Sequence, residues 1–125
     1  MSIYQIYTIF HSDEYLLKDT SIQLMDATGR RHGRLKPPGS LIMELNAGTV
    51  DTDTFTQQYK QFLNTQIPYI ERQFSGVPAI AISCYCDRKV KDSIIYRDIL
   101  KDWFIEQYKD YRYKGEILSS GLSKE

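Results

Sequence analysis

The segment 77–85, VPAIAISCY, constrains the fold of this chain more than any other part of it. It is almost continuously apolar or small, and Gly76 and a charged stretch bound it. A strand with one face in water alternates apolar and polar residues, whereas a strand covered on both faces does not. The segment therefore predicts a central strand of a parallel sheet.

Strand and helix patterns alternate along the rest of the chain, which favours helices packed on a mostly parallel sheet. The strand candidates are residues 3–10, 21–25, 77–85 and a short strand within 111–119. Short helical turns are expected within 15–20 and 40–45. Longer helices are expected to begin near Asp51 or Asp53, to contain Pro68, and to span 93–108. We expect an α/β fold: a single three-layer sandwich with a mostly parallel central sheet of three to five strands. Residues 1–118 are assigned to this domain and 119–125 to a flexible C-terminal tail.

Apolar residues at helical spacing indicate which faces of the helices are buried. In the helix after Asp51, aromatic and aliphatic residues recur at helical spacing and form one apolar stripe. The last helix has a similar stripe. The predicted buried residues are Phe55, Tyr59, Phe62 and Leu63, then Ile95, Ile99, Trp103 and Phe104. The predicted exposed side of the last helix carries Arg97, Asp98, Lys101, Asp102 and Glu106.

Length and charge exclude several classes of protein. A chain of 125 residues can bury a core without disulfides or metals. Its 16 basic and 16 acidic side chains cancel, so bulk nucleic acid is not an expected partner.

The N-terminus lacks a secretory signal, and no apolar run approaches the ~20 residues that span a bilayer. We expect no membrane partner and, with two closely spaced cysteines that are poorly placed to pair with each other, a cytoplasmic location.

Polar residues follow several predicted strands, where ligands of parallel sheets bind. His11 and Ser12 follow the first strand, and a basic loop with Arg30 and Arg31 follows Asp26 at the end of the second. The central strand ends in Cys84 and is followed by Cys86, Asp87 and Arg88, and then by the last helix, with Asp92 or Ser93 as its predicted cap. We expect these groups to converge at one edge of the sheet.

The spacing around the two cysteines argues against two familiar chemistries. A phosphatase-type loop requires an arginine six positions after the thiolate, but Asp92 and Val90 stand six positions after Cys86 and Cys84. Zinc requires three or four ligands, usually Cys and His, and the chain holds only two of each, so His11 and His32 would both have to converge on the two cysteines. We therefore expect no metal site and no cofactor.

Two readings of the same stretch stay open. Cys86 precedes Arg88, Lys89 and Lys91, which would favour a reactive thiolate with His11 as its base. Inert packing is the alternative for Cys84.

The N-terminus of the last helix could instead hold an anion between Ser93, Arg97 and Arg88, together with the Arg30–Arg31 loop. The alternative to that site is a solvated basic loop with an Arg97–Asp pair on the helix surface.

The ten tyrosines are compatible with a second class of function. Tyrosine suits protein interfaces as well as cores, because its ring is apolar and its hydroxyl forms hydrogen bonds. A protein-interaction or inhibitor module, with homo-oligomerisation as one form of interaction, is therefore an alternative to small-molecule binding.

Several segments resemble a widespread bacterial family of unknown function (domain of unknown function number four hundred and eighty-eight). The opening IYTIFHS is similar to the family's IYTIGHS, and SCYCDRKVKDSIIYRDILKDWF to its late strand and Cys-His-Arg helix; LKPPGSLIMEL and DTFTQQYKQFL resemble its middle. The resemblance implies an α/β fold, with Cys84 at the strand-end cysteine and Arg97 at the arginine of the motif. Ile95 and Tyr96 stand where the family has Cys-His, and Phe10 where it has glycine, which implies that any catalysis by that motif is lost here.

These observations lead us to expect a small cytoplasmic protein that binds an anionic small molecule or nucleotide without catalysis. A protein-interaction or inhibitor module encoded by a phage or mobile element is the alternative, and a thiol-dependent enzyme is the least favoured reading. The predicted ligand-binding residues are His11, Ser12, Arg30, Arg31, Cys84, Cys86, Arg88, Ser93 and Arg97.

Overall fold

A computed structural model describes residues 4–27, 33–84, 91–118 and 121–124 of the chain. For some of these residues it describes the backbone alone. They are residues 11, 12, 33, 84, 91–95, 118 and 121–124.

The described strands form one sheet whose order confirms the predicted α/β class. The strands are β1 (Tyr4–Phe10), β2 (Gln23–Asp26), β3 (Ala79–Cys84), β4 (Tyr111–Leu118) and β5 (Gly121–Lys124). Their order across the sheet is β2-β3-β1-β4-β5; neighbours from β2 to β4 are parallel, and β5 is antiparallel to β4. Part of the predicted flexible tail thus forms β5, which pairs with the backbone groups that the edge of β4 would otherwise leave open.

The helices begin and end close to the residues that local sequence signals indicate. They are α1 (Gly39–Ala47), α2 (Thr52–Asn64), α3 (Ile67–Phe74) and α4 (Lys91–Gln107), with 3-10 helices at His11–Leu17 and Gly33–Leu35. The Asp51 carboxylate accepts a hydrogen bond from the Thr54 N–H at 2.7 Å and so caps α2. Because α4 begins at Lys91, Asp92 and Ser93 lie in its first turn rather than before it. No helix in the described ranges combines the length and the apolar composition needed to cross a membrane.

The two faces of the sheet are covered unequally. Consecutive positions of a strand face opposite sides, so the contacts of neighbouring residues identify the two layers. Glu116 of β4 reaches Arg97 of α4 on one face, and Ser83 of β3 reaches Glu14 of the first 3-10 helix on the other. Helix α4 also packs against α2, and α2 against α1, while Ile70 and Phe74 of α3 join the same core cluster. Among the described elements, the α-helices thus form a thick layer on one face, whereas the first 3-10 helix covers the other.

The main core lies between the sheet and the α-helices, and it absorbs much of the aromatic content. Trp103, Phe55 and Tyr59 are fully or almost fully buried in it, as the stripe patterns predict. Among the tyrosines whose side chains are described, only Tyr15 and Tyr113 are exposed. The tyrosine excess therefore mainly supplies core packing, which weakens the case for a tyrosine-rich interaction surface.

One buried hydrogen bond ties the loop before α1 to the core, and its removal is the first test of the structure. The Tyr59 hydroxyl donates to the Leu35 carbonyl at 2.5 Å, and Tyr59 is fully buried. We expect Tyr59→Phe to lower the free energy of unfolding by ~1–3 kcal/mol, because the Leu35 carbonyl loses its partner. Tyr15→Phe, at a side chain that is 64% exposed, is the matched control and should leave urea unfolding unchanged.

The effect of Tyr59→Phe on the free energy of unfolding should also depend on pH. Burial raises the pKa of Tyr59 far above its ordinary value of 10.0, so the contribution of its neutral hydroxyl is complete below pH 10 and is lost as the pH rises further. The stability difference between wild type and Tyr59→Phe should therefore shrink above pH 10. Equal effects of Tyr59→Phe and Tyr15→Phe at neutral pH would contradict this role of the hydroxyl.

Candidate functional site

The carboxyl ends of β1 and β3 form a topological switch point. These two strands are parallel neighbours, and Phe10 at the end of β1 lies opposite Cys84 at the end of β3. After β1 the chain enters the 3-10 helix on one face, whereas the chain after β3 leads to α4 on the other. Connections that leave neighbouring strands toward opposite faces open a crevice beyond the strand ends, which is where open α/β sheets bind ligands.

Arg97 is the charged side chain that α4 places at this edge. The prediction that it lies on the exposed side of the helix is wrong, since only 5% of the residue is accessible. Its guanidinium carbon lies 5.0 Å from the centre of the Phe10 ring, a cation–π arrangement at the end of β1. Helix α4 packs across three strands, β3, β1 and β4. Because of this packing, Arg97 is buried against the sheet, and Tyr96 directly before it is buried as well.

The hydrogen bonds of the buried Arg97 are weak in geometry and incomplete. Its Nε lies 3.4 Å from Asp98 Oδ1, and its Nη2 lies 3.4 Å from Glu116 Oε1. Both distances exceed the usual range for N–H···O bonds, and the carboxylate side chains are 50% and 24% exposed, respectively. The Nη1 atom has no hydrogen-bond acceptor among the described residues. A buried cation with this pattern offers donors to an oxyanion.

A β-bulge places Glu116 beside Arg97. The pairing of β1 with β4 shifts between Ile6 and Thr8, where Ile6 lies opposite Tyr113 but Thr8 lies opposite Glu116. One extra residue is accommodated here, and Gly115 has a φ of 105°, a conformation that side chains with a Cβ rarely adopt. Without the bulge, strand alternation would turn Glu116 to the other face of the sheet, away from Arg97.

A second cation lies next to Arg97 along α4. Lys101 Nζ is 4.5 Å from the centre of the Tyr113 ring, and the Tyr113 hydroxyl forms a 2.7 Å hydrogen bond with Thr8 Oγ1. Arg97 and Lys101 are four residues apart and so lie on the same side of the helix. Lys101 is also 3.1 Å from Asp102, whose side chain is 55% exposed. Lys101 and the Tyr113 ring thus continue the arrangement of Arg97 and the Phe10 ring along the same face of the sheet.

Buried acids and a hydroxyl occupy the same edge on the opposite face. Asp26 lies opposite Ser83 in the register of β2 and β3, and both are fully buried. The Ser83 hydroxyl donates a 2.5 Å hydrogen bond to Glu14, and Asp13 beside it is 4% exposed. These groups have further interactions in the chain, and within the described ranges no cluster of His, Cys, Asp or Glu could hold a metal ion. They fix the 3-10 helix against the strand ends.

The structure locates only some of the predicted ligand-binding residues. Arg97 is described in full, whereas for His11, Ser12, Cys84 and Ser93 the backbone alone is described. His11 and Ser12 directly follow the end of β1, Cys84 ends β3, and Ser93 lies in the first turn of α4, so all four backbone positions belong to the expected edge. The predicted residues outside the described ranges are Arg30, Arg31, Cys86 and Arg88.

Sequence reasoning missed Thr8, Phe10, Tyr113 and Glu116. All four lie in strands, where a polar or aromatic residue usually has no distinctive local signal. Glu116 alone had such a signal, since it follows Gly115 and a glycine within a strand pattern often marks a bulge.

The bulge can be tested by adding a Cβ at its glycine. We expect Gly115→Ala to lower the free energy of unfolding by ~1–3 kcal/mol, because alanine is strained at this positive φ. Gly39→Ala at the start of α1 is the control, since nothing lies within 4 Å of the added Cβ and the backbone there is not in the strained region. Chemical denaturation of both variants measures the difference; equal stability of the two would argue against a strained bulge.

Comparison of the chain with protein-family models, with curated proteins and with solved structures gives no match. The features of the structure that bear on its function are the switch point, the buried guanidinium and the bulge.

Proposed function

We propose that this protein is a cytoplasmic binding module for a small oxyanion, of the phosphate or nucleotide class, and that it binds without catalysis. The observation that carries the proposal is the buried Arg97, whose Nη1 has no acceptor among the described residues. Phosphate oxygens would lie in the crevice beyond β1 and β3 and accept hydrogen bonds from the guanidinium. The planar fork of arginine matches two oxygens of such a group.

The energetics of burial support a ligand-binding role for Arg97. A buried charge destabilises the folded state unless close partners replace its hydration, and removal of water is costly even for good pairs. Its described partners, at 3.4 Å and partly in water, replace that hydration incompletely. An arginine kept only for stability is expected to have closer partners, whereas one that receives an anion is expected to have donors without a protein acceptor, as Nη1 is among the described residues.

The cations on this face are less exposed to water than the carboxylates beside them, which supports an anion as the ligand. The side chains of Arg97 and Lys101 are 6% and 19% exposed, whereas those of Asp98, Glu116 and Asp102 are 50%, 24% and 55% exposed, and water weakens the field of an exposed charge. The start of α4 at Lys91 adds the partial positive charge of a helix N-terminus to the strand-end region. Glu116 competes with the ligand for the guanidinium, and a neutral residue there should increase the affinity.

The resemblance to the bacterial family of unknown function supports binding rather than catalysis. Tyr96, which stands where that family has histidine, is 9% exposed and stacks on Phe55 at 5.6 Å. It belongs to the core cluster and so serves packing. Under this proposal Arg97, at the position of the motif's arginine, binds the anion, while the position of the histidine serves packing.

Titration of inorganic phosphate and of a nucleotide into three variants tests the proposal. We expect Arg97→Met to weaken binding by about 10- to 100-fold, because it removes charge-assisted hydrogen bonds. Glu116→Gln should strengthen binding several-fold, since it removes the competing carboxylate. Glu106→Gln, the same change at an exposed residue of α4 that pairs with Lys60, is the control and should bind like wild type.

Stability measurements on the same proteins separate binding from a structural role. Arg97→Met should unfold at the same or a higher denaturant concentration than wild type, because an apolar side chain needs no partners in that position. A large loss of stability in Arg97→Met together with unchanged phosphate binding would overturn the proposal. Absence of any phosphate or nucleotide binding to the wild type would do so as well.

A further inference from the structure

A cleft lies at the amino ends of the parallel strands, at the end of the sheet opposite to Arg97. It has a volume of about 430 Å³ and opens between the C-terminal ends of α3 and α4 and the first residues of β1 and β4. The residues that determine its chemistry are Tyr4, Glu71, Tyr108, Lys109, Asp110 and Tyr111. None of the residues assigned to the anion site lines it.

Aromatic rings form one wall of this cleft. The rings of Tyr4 and Tyr111 are 5.0 Å apart, and Phe104 behind them lies 4.8 Å from Tyr111 and 4.7 Å from Tyr108. The Tyr111 hydroxyl donates to the Val77 carbonyl at 2.5 Å, which holds that ring in place. A preformed group of tyrosine rings is the kind of surface that attracts organic cations through the negative faces of the rings.

The charges and dipoles around the cleft also favour a cation. Glu71 and Asp110 outnumber Lys109 among the charged lining residues. Helices α3 and α4 end at the cleft, at Phe74 and Gln107, and helix C-termini carry a partial negative charge.

Tyr108 connects the rings to the carboxylate of the cleft. Its hydroxyl lies 3.4 Å from Glu71 Oε2. Burial, with a further contribution from the Glu71 charge, raises the pKa of Tyr108 to about 12. The hydroxyl is therefore neutral at physiological pH and adds no second negative charge beside Glu71.

We propose that this cleft binds an alkylammonium group, either primary or quaternary, with Glu71 as the charge partner and the partly exposed rings of Tyr4 and Tyr108 as the contact surface. The group could belong to a free metabolite or to a basic side chain of a peptide. The site is independent of the anion site, so the failure of one proposal leaves the other intact.

Choline and its neutral isostere 3,3-dimethyl-1-butanol test the proposal, because they have the same shape and differ in charge. Titrations followed by the NMR signals of the tyrosine rings should show saturable binding of choline and at least threefold weaker binding of the alcohol, a difference on the order of an exposed cation–π contribution. Butylammonium tests the primary amine, and a short lysine-containing peptide titrated against free lysine distinguishes a peptide from a metabolite.

Three variants at exposed residues complete the experiment without disturbing the core. Glu71→Gln should weaken choline binding about threefold or more, and Lys109→Gln should strengthen it, since that change removes the opposing charge of the lining. Glu44→Gln on α1, outside the cleft, is the matched control and should bind like wild type. Equal binding of choline and the alcohol, an unchanged affinity in Glu71→Gln, or no binding of either ammonium probe would overturn the proposal.

Discussion

The buried guanidinium of Arg97 is the interaction on which the interpretation of this protein depends. A positive charge that is 5% exposed requires partners, and its described carboxylate partners lie at 3.4 Å. A side chain in that situation destabilises the fold unless another group completes its hydrogen bonds. An oxyanion in the crevice would do so, and the contact with the Phe10 ring restricts the guanidinium to that crevice.

Two features of the backbone determine the surroundings of Arg97 near the carboxyl ends of the strands. The strand order puts β1 beside β3, so the connections after these strands leave toward opposite faces and open the sheet edge. The bulge at Gly115 then turns Glu116 toward α4, where it holds the guanidinium from the side of β4. At the other end of the same strands, tyrosine rings and the carboxylates of Glu71 and Asp110 line the cleft beside Lys109, and the two proposed sites would take ligands of opposite charge.

The sequence predicts the parts of this structure that depend on local pattern. The apolar run of β3 requires cover on both faces, and the spacing of Phe55, Tyr59 and Leu63 determines the buried side of α2, so the α/β class could be predicted. The burial of Arg97 could not, because it depends on how α4 crosses three strands that are distant in sequence. Its neighbours Asp98 and Lys101 have the same polar character, and helical periodicity alone placed all three in water.

The most direct test of the account follows the Arg97 guanidinium itself. Its side-chain Nε–H and Cζ resonances can be monitored by NMR while inorganic phosphate is added to the wild-type protein. If Arg97 binds the anion, its signals should shift in a saturable way, with little change at Arg34 and Arg72. Both of these arginines are exposed and lie against the Tyr69 ring. Unchanged Arg97 signals, or shifts of equal size at all three arginines, would contradict this role of Arg97.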